Sequence, residues 1–117
     1  MPRDTAKERV RAREIYRENL PRSLWKAAQK RARKAGLEFT ITVEDVVIPA
    51  RCPIFDVPFQ APGDGVFTAS LDRRHNGQGY TPANTRVIST AANKWKSALG
   101  IDTARRFLAY MEDHDAG

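Results

Sequence analysis

Asp72, His75, Asn84 and Asn93 fall within one stretch, SLDRRHNGQGYTPANTRVISTAANKWK, residues 70–96. Together they supply what hydrolysis of a phosphodiester needs: a nucleophilic water, a base to take its proton, and positive charge near the scissile phosphate and the leaving oxygen. One hard divalent cation in an oxygen-rich, incomplete cage can provide that charge. Asp72 offers a carboxylate at the end of an expected strand, and His75 an imidazole three residues on. Asn93, one turn into a following helix, can turn its amide oxygen toward the same ion. Asn84, at the start of the return strand, is placed to hydrogen-bond across the loop and fix its shape. Arg73, Arg74, Lys94 and Lys96 add positive charge suited to phosphates.

Such residues work only if the elements around them hold them together. Val66 to Asp72 reads as a strand, the polar run 75–83 as a turn, and Thr85 to Ile88 as the returning strand. Ser89 or Thr90 caps a helix to about Leu99, closed by Gly100. The result is a strand, loop, strand and helix with the polar side chains gathered at the loop. Upstream, Asp4 or Thr5 opens a helix over 4–19, sparse in apolar positions. A second helix starts at Pro21 and ends at Gly36, with Leu24, Trp25, Ala28, Ala32 and Ala35 as its apolar stripe. Trp25 reads as a core anchor.

Leu37 to Thr42 is a short strand or extended segment, and Thr42 caps a single turn through Asp45. Residues 50–60, ARCPIFDVPFQ, form a tight ribbon that points Ile54, Phe55, Val57 and Phe59 inward. Tyr80 is a packing residue, and Trp95, between two lysines, faces the core while they face solvent. A last helix from Asp102 or Thr103 to about His114 buries Ala104, Phe107, Leu108 and Met111. His114, in an acidic tail, carries no evident chemistry.

The 117 residues suit one domain with one modest core, and 41% hydrophobic content with a mean hydropathy of −0.57 fits a water-soluble chain. No apolar run approaches the roughly 18 residues that cross a bilayer, and MPRDTAKERV lacks a signal-peptide core, so a cytoplasmic location is expected, in the host cytoplasm if the chain is phage-encoded. Cys52 is the single cysteine, which excludes an intrachain disulfide and a cysteine-based structural zinc. It reads as a small buried hydrophobe.

Net charge is +6 and pI about 9.9. Residues 1–36 hold twelve basic side chains against four acidic ones, so the excess lies there and the rest of the chain is slightly acidic. Arg31, Arg33 and Lys34 sit in that basic region, which has the electrostatic footprint of a nucleic-acid binder.

The 70–96 stretch resembles the HNH branch of the ββα-metal (His-Me finger) endonucleases, most closely a small phage-type group with a run like SLDRIDNSKGYTPDNVRVVSxxANxxK. Agreement includes Ser70, Leu71, Asp72, Arg73, Asn76, Gly79, Tyr80, Asn84, Arg86, Ser89, Asn93 and Lys96. The upstream RCPIFDVPF is similar to the group's CPxxGxPF element, and the resemblance spans roughly residues 25–97. It implies an α+β fold: a ββα-metal core over 37–100, a basic helical extension over 1–36, and a C-terminal helix and tail over 101–117. It also implies DNA as substrate and one Mg²⁺ or Mn²⁺ ion.

By position, Asp72 and Asn93 correspond to the metal ligands and Asn84 to the asparagine that braces the loop. Arg73 occupies the place of the usual histidine, and arginine is no base near neutral pH. His75 is the natural substitute, two residues on and so on the same side in an extended segment. Its readings are base, third metal ligand, or incidental loop histidine. Arg74, Arg86, Lys94 and Lys96, with Arg31, Arg33 and Lys34, are the expected DNA contacts. The expectation is therefore a metal-dependent DNA endonuclease, monomeric or paired through its first helix. The alternative is a catalytically silent relative that binds DNA or inhibits another nuclease, with Arg73 paired to Asp72.

Overall fold

A computed structural model describes residues 5–113; the expected Asp4 cap and His114 lie outside them. The first helix, α1, runs unbroken over Ala6–Ala35, with Pro21 inside it. Two helices are thus one. An interior proline loses its N–H bond and crowds the carbonyl four residues back, at about 3 kcal/mol, and apolar packing on its C-terminal side offsets that cost and holds the turn. Thr5 opens α1: its side chain accepts from Glu8 N–H at 3.1 Å while Glu8 accepts from Thr5 N–H at 3.1 Å. Gly36 closes it at φ +68°, and its N–H returns to Ala32 and Arg33 carbonyls.

From Leu20 onward α1 belongs to the core. Leu20, Ala28 and Ala32 are buried, while nearly every side chain before Leu20 is exposed. Trp25 anchors the packing as expected, with its indole N–H donating to Ile41 O at 2.9 Å.

Strands β1 (Ala69–Arg73) and β2 (Thr85–Ser89) pair antiparallel, Asp72 opposite Arg86 and Ser70 opposite Ile88. Alternation sends Leu71 and Val87 to one face, where they join Ala28, Ala32, Ile41, Val46 and Tyr80 under α1. Ile88, with Ser70, Asp72 and Arg86 of the other face, meets helix α2 (Thr90–Glu112) and the 51–58 ribbon, where Cys52, Ile88 and Ala92 form a second cluster. The fold is α+β, in the order helix, strand, strand, helix.

The 37–42 segment is extended but makes only one bridge, Phe39 beside Tyr80, with Tyr80 N–H donating to Glu38 O and Thr40 N–H to Tyr80 O. Gly79 permits this close approach: a Cβ there would press on the Glu38 backbone, within 2.9 Å of its nitrogen. Thr42 receives its turn as expected, its N–H donating to Asp45 Oδ2 at 2.8 Å.

Cys52 is fully buried, consistent with its reading as a small hydrophobe. Its thiol donates to Ser89 Oγ at 3.2 Å and accepts from Ser89 N–H at 3.3 Å, fastening the ribbon to the first turn of α2. Burial pushes this thiol up, but the hydrogen bonds of Ser89, Phe55 and Ile54 outweigh it and leave the thiol below its ordinary value. Ser89 is the cap of α2, accepting from Ala92 N–H at 3.1 Å.

Three packing expectations are overturned. Ile54 points outward rather than into the core, because Phe55, Val57 and Phe59 fill the available space. Trp95 is 62% exposed, stacked edge-on against Phe55, and Lys96 turns inward instead. On α2 the positions facing the sheet are Ala91, Ala92 and, one turn on, Lys96; Trp95 falls beside that row. Finally, Ala104, Phe107, Leu108 and Met111 are exposed, since α2 bends at Gly100 (φ +68°, ψ 167°) and its second half finds no covering layer among the described residues. No helix there is long and apolar enough to cross a membrane.

Thr85 Oγ1 is buried without a hydrogen-bond partner among the described residues. Removing a lone buried hydroxyl of unchanged shape relieves its desolvation cost. Thr85→Val is therefore expected to leave stability equal or raise it by about 1 kcal/mol, read from the midpoint of urea denaturation; a clear loss would mean the hydroxyl has a partner.

Candidate active site

The loop between β1 and β2 is built around Asn84, which is only 2% exposed. Its Oδ1 accepts from His75 N–H at 2.9 Å; its Nδ2 donates to His75 O at 3.2 Å and to Gly79 O at 2.8 Å. The asparagine thus binds both backbone groups of one residue, fixing where the His75 Cα stands while leaving its imidazole exposed. Arg74 N–H donates to Asn84 O at 2.7 Å, closing the same junction.

Arg73 completes the loop from the other side. Its guanidinium donates to Asn76 O and Gln78 O, both at 2.8 Å, and lies 5.6 Å from the Tyr80 ring centre. Alternation along β1 puts it on the face opposite Asp72, so Arg73 neither pairs with that carboxylate nor presents itself to the site. The arginine is a staple for the loop. His75 does not share its side by strand alternation either, because β1 ends at Arg73 and the chain bends at Arg74 and His75.

Asp72 is 8% exposed, and its Oδ1 accepts from Lys96 Nζ at 3.1 Å. The same ammonium donates to Arg73 O at 2.5 Å and lies 3.3 Å from Asn76 Oδ1. Three oxygens, one anionic, therefore converge on a single cationic nitrogen at the end of β1. Asn93 is not among them. Its Nδ2 reaches Ser70 Oγ at 3.4 Å, two residues upstream along β1, so Asn93 and Asp72 share no partner.

The helix turn that brings Asn93 to Ser70 brings Lys96, three residues later, to Asp72. The sequence alone places Lys96 in solvent as a phosphate contact and gives Asn76 no role beyond a matching position. The i, i+3 relation of Asn93 and Lys96 against the i, i+2 relation of Ser70 and Asp72 was the available signal.

The other basic residues divide into occupied and open. Arg31 donates to Tyr80 Oη at 3.2 Å and to Leu71 O at 3.4 Å, and lies 6.0 Å from the Tyr80 ring. Arg86 donates to Pro82 O and Thr85 O. Both brace the backbone rather than standing free for phosphate. Arg74, Lys94, Arg33 and Lys34 are exposed; the first borders the site, and Lys94 lies beside Asn93 on a shallow depression of α2.

Among the described residues no three His, Cys, Asp or Glu side chains gather in a group able to hold a metal. What the site offers is one carboxylate, one amide oxygen and one backbone carbonyl around the Lys96 ammonium. In kind these are hard oxygens, which suit a Mg²⁺-like ion that keeps several of its waters. Asp72, Asn76 and the Arg73 carbonyl would hold it, with the lysine displaced. Compared with known proteins, the chain matches no family model, no curated sequence and no solved structure.

Proposed function

We propose that the chain is a metal-dependent endonuclease of the ββα-metal type, hydrolysing phosphodiesters of DNA at the end of β1. The observation that carries this reading is the convergence of Asp72 Oδ1, Asn76 Oδ1 and Arg73 O on one cation, beside a histidine whose backbone is clamped by Asn84. Asp72, Asn76 and the Arg73 carbonyl would hold a hard divalent ion, which when bound would supply positive charge to the phosphate and the leaving oxygen. His75, held by its backbone with its ring exposed, takes the proton from the attacking water. Lys96 and Arg74 bind the non-bridging phosphate oxygens. The basic α1 contacts flanking phosphates without reading base edges.

The test is nicking of supercoiled plasmid in Mg²⁺ or Mn²⁺, with EDTA as control. His75→Ala is expected to lower the rate about a hundredfold or more, with the circular dichroism spectrum unchanged because the ring makes no buried contact. Cleavage equal to wild type would remove His75 from the chemistry.

A second reading is favoured by one specific observation: the Lys96 ammonium already neutralises Asp72. In it the chain is a silent, DNA-coating relative, whose binding falls steeply with salt and is accompanied by no cleavage. Lys96→Met separates the two. Removing the ammonium uncovers the three oxygens, costing on the order of 1 kcal/mol without metal. If the site takes a divalent ion, Mn²⁺ then raises the melting temperature of the variant more than that of wild type. No Mn²⁺-dependent shift in either protein favours the silent binder.

A further inference from the structure

A cleft of about 750 Å³ opens beside Asp72 and Lys96, in the crook formed where α2 bends at Gly100. Its floor and walls are apolar, from Phe55, Ile88, Trp95 and Leu99, and its rim is polar, from Arg74, His75, Asn76 and Lys96. Trp95 is one of its walls and is largely uncovered, with the Phe55 ring edge-on to it at 6.0 Å in the same lining. We propose that this cleft receives an unpaired nucleobase, so that the substrate is single-stranded or locally unpaired DNA rather than an intact duplex. This rests on the nuclease reading for the neighbouring phosphate site.

Three features select a base over another apolar occupant. The cleft is within the range of pockets that hold a planar heterocycle, and it combines an apolar interior with a few polar groups at one edge. An exposed indole with a second aromatic ring edge-on to it is a stacking platform that any base can use, because every base has a π-face. The rim carries positive charge from Arg74 and Lys96 and shares His75, Asn76 and Lys96 with the phosphate site. A nucleotide whose base entered the cleft would leave its phosphate next to those groups. An apolar peptide would gain nothing from a cationic rim of this kind. In a paired duplex the base lies inside the stack and cannot reach Trp95, so entry selects DNA already open at that point.

The experiment measures binding in EDTA, where cleavage does not contribute. The 117-residue chain is titrated with a twelve-nucleotide single strand, with the same strand carrying central abasic sites, and with a duplex of equal length, following tryptophan fluorescence and anisotropy of a labelled strand. The expected result is quenching by the intact single strand. A roughly tenfold or greater loss of affinity should follow when the central bases are removed. Trp95→Ala should abolish the quench and lower single-strand affinity by a similar factor while leaving duplex binding unchanged. Trp95 is on the surface, so this variant folds; the buried-side indole of Trp25 serves as an internal reference for structure.

Equal binding of intact and abasic strands, or an equal loss for strand and duplex on Trp95→Ala, would overturn the proposal. So would binding of an apolar peptide in the cleft that the single strand fails to displace. A protein that shows the base dependence and yet nicks nothing in Mn²⁺ would retain the base cleft and lose the nuclease reading, which keeps the two failures apart.

Discussion

Asp72→Ala is expected to abolish metal-dependent nicking, with a loss of about a thousandfold or more. Asp72 is the only carboxylate in the oxygen cluster, and the neutral oxygens of Asn76 and Arg73 cannot by themselves balance a divalent charge. The variant also frees the Lys96 ammonium, which keeps its bond to the Arg73 carbonyl and gains access to solvent. Affinity for DNA measured in EDTA should therefore hold or rise slightly, since one negative charge has left a phosphate-facing surface. A large rate loss without loss of binding is the signature sought in paired nicking and anisotropy measurements. Undiminished nicking would eliminate the site, and parallel loss of both would point to a folding defect.

Asn84→Ala should produce the largest change in stability. The side chain is almost fully buried and makes three hydrogen bonds, two to His75 and one to Gly79. Truncation leaves the His75 N–H and the Gly79 carbonyl without the amide in a part-buried loop, while the His75 carbonyl keeps the Gln78 N–H at 3.1 Å. Each such group costs roughly 1–3 kcal/mol when it cannot reach water. Because His75 is exposed and its groups can recruit solvent, a total of about 2–4 kcal/mol is expected, read from urea denaturation. Asn84→Asp is informative beside it. The carboxylate can still accept from His75 N–H but faces two carbonyl oxygens without a proton to donate, so it should rescue little near neutral pH. A loss well below 1 kcal/mol for Asn84→Ala would show that the loop is held by Arg73, Lys96 and its backbone hydrogen bonds.

The hairpin and its helix were legible because their signals are local. Ser70, Leu71 and Asp72 alternate between faces, Ser89 is a helix cap by residue type, and Gly100 marks the end of a regular run. The side-chain assignments that depend on long, flexible groups were not. Lys96 reads as a solvent lysine until its turn of helix is laid against Asp72, twenty-four residues away. Arg73 reads as a phosphate ligand until the loop carbonyls of Asn76 and Gln78 are seen to take its guanidinium. Pro21 looked like a boundary because proline is a strong local punctuator; the neighbouring packing of Leu20, Leu24 and Trp25 overrides it. Phe107, Leu108 and Met111 have helical spacing suited to burial. Spacing says which face is apolar, but not whether anything covers it.

Helix α1 carries eleven basic side chains against three acidic ones, and its first half projects past the core. The radius of gyration, 17.5 Å, exceeds the roughly 13 Å of a compact chain this long. All three acids lie in the first half, Ala6–Leu20, and six basic side chains without an acid lie in the half packed on the core, so the positive end of the molecular dipole sits on that core-packed half of α1. Near a polyanion the field exerts a torque as well as a pull, so the protein turns the 21–35 flank of α1 toward it before any surface meets. Raising ionic strength shortens the distance at which that torque acts, and the rate of encounter should fall faster than the lifetime of the complex once formed.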